Sequence, residues 1–273
     1  MVRFGVFLTP SAHPTRPLEL ARLADELGFD YVGVQDHPYQ RRFHDTWTLL
    51  TAIAMSTRRI SVFPDVTSLP LRPPAVLAKA AATLDQLSGG RLELGLGAGA
   101  FWDAIAAMGG PRRTPGESIE ALEEAIHVIR LMWSDQPAVR FSGRFYQLAG
   151  VRPGPQPAHP IGIWLGVYKP RGLALVGRLA DGWVPSLGYA NPESLAEGNR
   201  RIDDAARAAG RDPSAIRRIL NVMAEPDSEL LAELAVEHRI DTFVLAEGEE
   251  PDTQLRRLAA EVIPRTRERI GRS

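Results

Sequence analysis

The sequence contains no cysteine, and lysine occurs at only two of its 273 positions, Lys79 and Lys169. The absence of cysteine excludes disulfide bonds, thiolate metal sites and a cysteine nucleophile. The scarcity of lysine argues against an aldolase, which would need a buried lysine at its active site to form a Schiff base. Lys79 falls on a predicted helix, which leaves only Lys169 for such a role.

A strong net charge and a long apolar run are also missing. The formal net charge is -1 and the pI is near 6.6, so the chain has no electrostatic footprint for binding nucleic acid. No apolar run approaches the roughly 20 residues that cross a bilayer, so we expect no membrane partner. The first residues, MVRFGVFLTP, show no signal-peptide pattern, and we expect a cytoplasmic protein.

The most informative stretch that is present is Leu71–Gly99, LRPPAVLAKAAATLDQLSGGRLELGLGAG. Apolar residues at a 3.6-residue spacing predict a helix over Pro74–Leu87, which the glycine-rich turn Ser88–Gly90 ends. Arg91–Gly97 then alternates like a strand and continues to Gly99. A strand that ends in glycines lets a flat or anionic ligand approach the backbone closely, and it also permits close packing of strands.

The rest of the chain alternates strands and helices in the same way. The predicted strands are Arg3–Thr9, Tyr31–Gln35, Ile60–Val66, Arg91–Gly97, Ile161–Leu165, Gly182–Pro185, Arg218–Val222 and Ile240–Leu245. The predicted helices are Pro17–Leu27, Thr46–Thr57, Pro74–Leu87, Thr114 to about Trp133, Pro170–Ala180, Pro192–Ala209, Ser228–His238 and Asp252–Arg269.

This alternation predicts a (β/α)8 TIM barrel that spans residues 1–273 as a single domain, with an open doubly wound sheet as the alternative. Residues 100–113 are expected to form a long loop. Residues 134–160 are expected to form an excursion that contains a hairpin around Phe141–Phe145. The glutamates at positions 117, 120, 123 and 124 are expected to form a solvated face of the preceding helix.

The barrel prediction places any active site at the carboxyl ends of the strands. The residues there include Asp36 and His37 after the second strand, Asp65 and Val66 at the end of the third, and Asn221 in the seventh. They contain no paired carboxylates for glycoside hydrolysis, no histidine spacing for a metal and no nucleophile elbow. A site with few reactive groups of its own indicates that a cofactor supplies the chemistry.

Each candidate also has a structural interpretation. Asp36 and His37 are either a loop turn or an acid/base pair, and Gly95, Gly97 and Gly99 do not fit the spacing of a dinucleotide-binding motif. Residues 166–169 precede a helix that starts at Pro170, so they form either a phosphate site or an ordinary strand-to-helix loop.

Several segments together make the chain similar to the bacterial luciferase-like family of flavin and deazaflavin oxidoreductases, over nearly its whole length. They are RFGVFLTP, LADELGFDYVGVQDHP, LPLRPPAVLAKAAATLDQLSGGRLELGLGAG, GRLADGWVPS and RIDTFVLAEG. The Asp36–His37 pair resembles that of the members that use the deazaflavin coenzyme F-420. The resemblance implies a (β/α)8 barrel with an excursion, hydride transfer between the coenzyme and a small organic substrate, and a homodimer.

The resemblance also implies roles for particular residues. Asp36 would contact the deazaflavin head group, and His37 would lie near the reacting carbon as an acid/base or polar support. Asp65 and Val66 would form a non-proline cis peptide that backs the ring. The remaining cofactor contacts would come from Gly97, Ala98 and Gly99 beside the ring, and from Gly166, Val167, Tyr168 and Lys169 at the phosphate.

Two other functions and two departures stay open. The same family includes FMN-dependent monooxygenases, which would need a flavin reductase as partner, and a non-catalytic flavin-binding barrel is a third hypothesis. The sugar-phosphate dehydrogenases of the family have a glutamate where this chain has Ala100, and the connection Ala224–Arg239 is short. Tyr39, Phe101 and Trp102 are expected to line a pocket for an apolar or planar substrate.

Overall fold

Parallel strands surround a central core in the computed structural model, which describes residues 1–13 and 15–272. The strands are β1 (Arg3–Leu8), β2 (Tyr31–Val34), β3 (Ser61–Pro64), β4 (Thr67–Ser68), β5 (Leu94–Gly97), β6 (Val139–Ser142), β7 (Gln147–Val151), β8 (Ile163–Leu165), β9 (Gly182–Trp183), β10 (Ser186–Leu187), β11 (Arg217–Val222) and β12 (Thr242–Ala246).

Helices connect the strands. They are α1 (Arg16–Leu27), α2 (Thr46–Ser56), α3 (Pro74–Ser88), α4 (Trp102–Ala107), α5 (Pro115–Met132), α6 (Pro170–Leu179), α7 (Pro192–Ala208), α8 (Ser228–Glu237), α9 (Pro251–Arg257) and α10 (Ile263–Ile270). Short 3₁₀ turns occur at Leu69–Leu71 and Pro213–Ala215, and a π-helical turn at Leu258–Val262 joins α9 to α10.

The sheet runs in the order β3, β2, β1, β12, β11, β9, β8, β5, β4, and β10 also pairs with β11. Every one of these pairings is parallel. A bridge between Val62 and Leu92 joins β3 to the segment that leads into β5, so the sheet is nearly closed. The predicted barrel is confirmed. Two of its strands continue past their predicted ends in a second short strand: β4 follows β3, and β10 follows β9.

Local sequence signals place the ends of several helices. Pro74 starts α3, and Gly89, in the left-handed conformation with φ 71°, ends it. Thr114 accepts a hydrogen bond from Glu117 N–H while the Glu117 side chain accepts one from Thr114 N–H, which forms a capping box at the start of α5. The prediction of a continuous loop over residues 100–113 is wrong, because α4 lies within it.

The barrel has two apolar layers. Inside it, Tyr31, Phe63 and Trp164 pack edge to face with ring centroids 5.1–6.2 Å apart. A larger buried cluster lies between the strands and the helices. Since the interior is filled by side chains, a ligand is accommodated only at the ends of the strands.

The predicted excursion contains the antiparallel hairpin β6–β7, which Glu124 of α5 holds in place. The Glu124 carboxylate accepts hydrogen bonds from the backbone N–H groups of residues 144, 145 and 146 at 2.7–3.0 Å. A Cβ at Gly143 would lie 2.2 Å from Glu124 Oε2, so glycine is needed for this approach. The prediction of a solvated glutamate face is therefore wrong in part. Glu124 binds the backbone of the hairpin, and Glu117 and Glu120 pair with Arg144 of its turn. Helix periodicity does not show these partners, because they lie 20 or more residues away in the sequence.

Candidate active site at the carboxyl ends of the strands

Two adjoining cavities lie where the strands end. The first, of about 670 Å³, is lined by residues 36, 37, 39, 66–68, 97–101, 115, 116, 118, 119 and 166–172. The second, of about 420 Å³, is lined by residues 7, 9, 35, 37, 65, 66, 166, 168, 184, 186, 189, 221, 223, 246 and 247. His37, Val66, Gly166 and Tyr168 line both cavities, so the two cavities form one continuous site.

Val66 lies at the junction of the two cavities, and its peptide bond with Asp65 is cis, as the resemblance implies. A Cβ on Gly97 would lie 2.8 Å from Val66 Cγ2, and one on Gly166 would lie 3.0 Å from the same atom. The two glycines therefore leave room for the Val66 side chain between β5 and β8. Their backbones, with Ala98 and Gly99, form part of the wall of the first cavity.

This geometry changes the explanation of the glycine strand. A Cβ on Gly95 would lie 2.0 Å from the Pro64 carbonyl oxygen, and one on Gly99 would lie 2.6 Å from Pro70 Cγ. The space that side chains at positions 95 and 99 would need is filled by the neighbouring strand and by the turn after it. This agrees with the interpretation that the glycines permit close packing of strands. A ligand in the first cavity would therefore contact the backbone of residues 97–99. It would not occupy the places of the missing glycine side chains, which protein atoms already fill.

His37 lies in a tight turn after β2. Gln40 N–H donates to the His37 carbonyl oxygen at 2.9 Å, and Pro38 supplies the fixed φ that such a turn favours. The turn brings the Tyr39 hydroxyl to 2.6 Å from His37 Nδ1. Phe101 packs against both rings at centroid distances of 5.5 and 5.9 Å. Burial lowers the pKa of His37 and outweighs the opposite effect of the Asp36 charge, so the imidazole is neutral near pH 7.

The Asp36 carboxylate, by contrast, is fully buried and binds donors of the protein itself. It accepts hydrogen bonds from Ser68 N–H and from Nε and Nη2 of Arg72, each at 3.0 Å. Arg72 also contacts the Asp45 carboxylate at 2.7 Å. This arrangement ties the turn after β2 to the end of β4, and Asp36 lies at the edge of the first cavity.

Asp65 lines the second cavity and not the first. Asn221 Nδ2 donates to its Oδ1 at 3.1 Å, while Oδ2 has no hydrogen-bond partner in the described part of the chain. Burial raises the pKa of Asp65 to about 7, and the hydrogen bond from Asn221 opposes that rise. This pair was not apparent from the sequence, since the two residues are 156 positions apart.

One end of the first cavity is cationic. Lys169 and Arg171 flank Pro170 at the start of α6, where the free N–H groups of a helix point outward. A Cβ on Gly116 would lie 3.2 Å from Arg171 Nη1, so the first turn of α5 reaches the same place. The loop before α6 is held by Trp183 Nε1, which donates to the Val167 carbonyl oxygen at 2.8 Å, and by Ser186 N–H, which donates to the Tyr168 hydroxyl at 3.0 Å.

The structure thus brings nearly all of the predicted site residues together at the two cavities. Trp102 does not line either of these cavities; it packs below Gly99, where its Cη2 would lie 2.9 Å from an added Cβ. The start of α5 is part of the site and was missed, because only the folded topology brings Gly116, Ser118 and Ile119 beside the loop after β8. No group of histidines and carboxylates within residues 1–13 and 15–272 could hold a metal ion. In the same residues, no helix is long and apolar enough to cross a membrane.

Comparison with known proteins gives consistent matches. The family model for luciferase-like monooxygenases matches residues 1–269. A 5,10-methylenetetrahydromethanopterin reductase of Archaeoglobus fulgidus is 28% identical over 230 residues, which are 84% of this chain and 65% of that protein. An F420-dependent glucose-6-phosphate dehydrogenase of Amycolatopsis mediterranei is 29% identical over 222 residues, or 79% of this chain and 66% of that protein. The chain thus spans just under two thirds of the length of these relatives.

A solved structure shows the same fold. It is an F420-dependent secondary alcohol dehydrogenase in complex with an F420-acetone adduct, and it matches with a TM-score of 0.86 at 20% identity. The match covers 97% of this chain and 99% of that chain.

Proposed function

Since the chain belongs to the luciferase-like monooxygenase family, we propose that it is an oxidoreductase that transfers a hydride between coenzyme F-420 and a small organic substrate. The observation that carries this proposal is the shape and charge of the first cavity. One part of its wall is formed by backbone with little side-chain bulk, and Lys169 and Arg171 make one end cationic. The name of one of the two sequence relatives, an F420-dependent glucose-6-phosphate dehydrogenase, supports a deazaflavin coenzyme over FMN.

The residues present fit this coenzyme. The wall formed by Val66, residues 97–99 and Gly166 carries almost no side-chain bulk, which suits a flat ring system. Lys169, Arg171 and the first turn of α6 suit the phosphate of the coenzyme's tail. The cavity of about 670 Å³ is in the range of small-molecule and cofactor sites.

When bound, the deazaflavin supplies or accepts the hydride. The protein binds and orients the coenzyme and the substrate, and it excludes water from the site. Val66 would support the ring from below, and Asp36 with Arg72 would keep the turn that carries His37 in place. The second cavity, lined by Thr9, Asn221 and Glu247 at three different strand ends, would hold the substrate beside His37. Ala100 supplies no carboxylate here, so we do not assign a sugar phosphate as the substrate.

A binding screen tests the coenzyme. The purified protein is titrated with oxidised F-420, FMN and FAD, and absorbance and fluorescence are followed. We expect F-420 to bind with a Kd at least tenfold below that of FMN, because the cationic end of the cavity matches its longer anionic tail.

The other outcomes have distinct meanings. Micromolar binding of FMN without binding of F-420 would contradict the proposal and favour an FMN-dependent monooxygenase that works with a flavin reductase. Binding of F-420 without turnover of any substrate would favour a flavin-binding barrel that is not a catalyst. Titration at a fixed ionic strength with inorganic phosphate as competitor controls for nonspecific anion binding.

A further inference from the structure

We propose that Tyr39 is a positioning residue that holds His37 in a single tautomer, with the proton on Nε2. The site would then act on a substrate whose C=O or C=N group accepts that proton. This inference rests on the proposed function, because the hydride comes from the reduced deazaflavin.

The contact that carries the inference is built by the local sequence His37-Pro38-Tyr39-Gln40. The turn folds Tyr39 back toward His37, and the hydroxyl oxygen lies 2.6 Å from Nδ1. The two ring centroids are 5.5 Å apart, and Phe101 covers both rings from the loop after β5. Few rearrangements of either side chain keep these contacts, so the hydrogen bond is set by the fold.

The hydrogen bond runs from Tyr39 to His37. Burial raises the pKa of Tyr39 to about 12, so the hydroxyl keeps its proton at neutral pH and can donate it. The neutral imidazole has one nitrogen that accepts and one that donates. If Nδ1 donated instead, the Tyr39 proton would be left without an acceptor in the described part of the chain. Nδ1 is therefore the acceptor, and the imidazole proton lies on Nε2.

The Nε2 side of the ring is available to a ligand. His37 lines both cavities, and its Nε2 has no hydrogen-bond partner among residues 1–13 and 15–272. Nε2 is also not among the buried polar atoms of these residues that lack a partner, so it is accessible from the cavity. The titratable groups that share the two cavities with His37 are Asp36, Tyr39, Asp65, Tyr168, Lys169, Arg171, Tyr189 and Glu247.

This arrangement supports reduction of a carbonyl or imine. The hydride from the reduced deazaflavin forms the new C–H bond, the C=O or C=N π bond breaks, and the heteroatom takes the proton from Nε2. Nδ1 then takes the Tyr39 proton, and the tyrosinate regains a proton from water. The relay runs downhill for a carbonyl, since the hydroxyl of the product alcohol is a weaker acid than Tyr39, even though burial raises the pKa of Tyr39 to about 12.

The same tautomer disfavours an alcohol as the starting substrate. Oxidation of an alcohol runs the same relay in reverse, so its hydroxyl proton must pass to an unprotonated Nε2 while Nδ1 returns its proton to the Tyr39 oxygen. With Nδ1 accepting from Tyr39 and the proton on Nε2, that form is the minor one at neutral pH. A carboxylate after β5 could serve as a base instead, but the residue at that place is Ala100. The geometry therefore points to a hydride acceptor.

The tautomer is measured directly by ¹⁵N NMR of the coenzyme-free protein, with the His37 signals assigned by their loss in His37→Asn. Above the pKa of His37, we expect Nε2 to be the protonated nitrogen and Nδ1 the unprotonated one. The opposite pattern would overturn the proposal. Because no coenzyme is present, failure of the deazaflavin to bind leaves this result intact.

The Tyr39→Phe variant keeps the ring and removes the hydroxyl. We expect the ratio of the Nε2–H to the Nδ1–H form of neutral His37 to fall about two- to tenfold, the factor that one hydrogen bond between uncharged groups supplies. Tyr146→Phe is the matched control, because the Tyr146 hydroxyl contacts Arg113 and neither residue lines the two cavities. An unchanged ratio in Tyr39→Phe would overturn the role of Tyr39.

The substrate class is tested with the coenzyme-loaded protein. Reduced F-420 is offered with ketones, aldehydes and cyclic imines, and oxidised F-420 with the corresponding alcohols and amines. We expect higher kcat/KM for the acceptors, and in Tyr39→Phe a loss in kcat with little change in KM that is largest at high pH. Turnover of the alcohols and amines alone, or of neither set, would contradict the substrate class.

Discussion

Two acidic side chains that follow neighbouring strands have opposite environments. Asp36 is buried against the guanidinium of Arg72 and a backbone N–H group, which stabilise its charge. Asp65 is buried, and the amide of Asn221 is the only hydrogen-bond partner of its carboxyl group among the described residues, so its charged form is disfavoured. The sequence shows two similar loop aspartates, and only their distant partners distinguish Asp36, which is paired with Arg72, from Asp65, whose pKa burial raises to about 7.

This difference predicts a pH-dependent stability that depends on Asp65. The pKa of Asp65 is about 7 in the folded protein, compared with about 3.9 for an aspartate in an unfolded chain. A carboxyl whose pKa is raised by folding loses stability as the pH rises from the lower value to the higher one. We expect Asp65→Asn to remove a decline on the order of 2–4 kcal/mol in the free energy of unfolding between pH 4 and pH 8.

Urea unfolding at a series of pH values measures this effect. Asp135→Asn is the control, because Asp135 is exposed and the substitution makes the same change in charge. The same decline in Asp65→Asn as in the natural protein would show that another group is responsible. Asparagine can still accept the hydrogen bond from Asn221, so the comparison isolates the charge.

At the scale of elements, the hairpin β6–β7 depends on α5. One carboxylate, that of Glu124, satisfies three consecutive N–H groups of the turn. Arg144 adds contacts to Glu117 at 2.7 Å and Glu120 at 3.1 Å. These last two pairs are more exposed and contribute less, since surface ion pairs are worth about 0–1 kcal/mol.

We therefore expect Glu124→Ala to loosen the hairpin while the barrel stays folded. Amide hydrogen exchange at residues 144–146 should become at least tenfold faster, and the free energy of unfolding should fall by about 1–3 kcal/mol. Glu123→Ala removes a glutamate from the same helix that instead pairs with Arg178, so it should leave exchange in the hairpin unchanged. Equal effects of the two substitutions would argue against a specific role of Glu124.

At the scale of the whole molecule, the sequence predicts the barrel well and the site in part. Strand and helix positions follow from apolar periodicity, proline and glycine, and these signals are local. The order of the strands also places Asp36, Val66, Gly97 and Lys169 at one end of the barrel. Periodicity carries no information about which side chains meet across the barrel, so the Asp65–Asn221 pair and the contribution of Gly116 appear only in the folded chain.

The charge of the molecule is balanced overall, yet it is distributed unevenly around the site. The first cavity carries Lys169 and Arg171 at one end, and its one acidic lining residue, Asp36, is paired with Arg72. The second cavity is lined by Asp65 and Glu247, and by no lysine or arginine of the described chain. A coenzyme with an anionic tail should therefore enter the first cavity in one orientation, with the tail toward α6.

This asymmetry predicts that coenzyme affinity depends on salt through Arg171. We expect Arg171→Gln to raise the Kd for F-420 about two- to fivefold at low ionic strength, because an exposed ion pair contributes about 0.2–1 kcal/mol. The difference should shrink at 1 M salt, where the Debye length falls to about 3 Å. Arg178 lies on the same helix and pairs with Glu123, much as Arg171 contacts Glu120 at 3.3 Å, but Arg178 does not line the cavity. Arg178→Gln should therefore leave the Kd for F-420 unchanged. Equal losses in both variants would mean that the net charge of α6, and not a tail-binding end of the cavity, controls affinity.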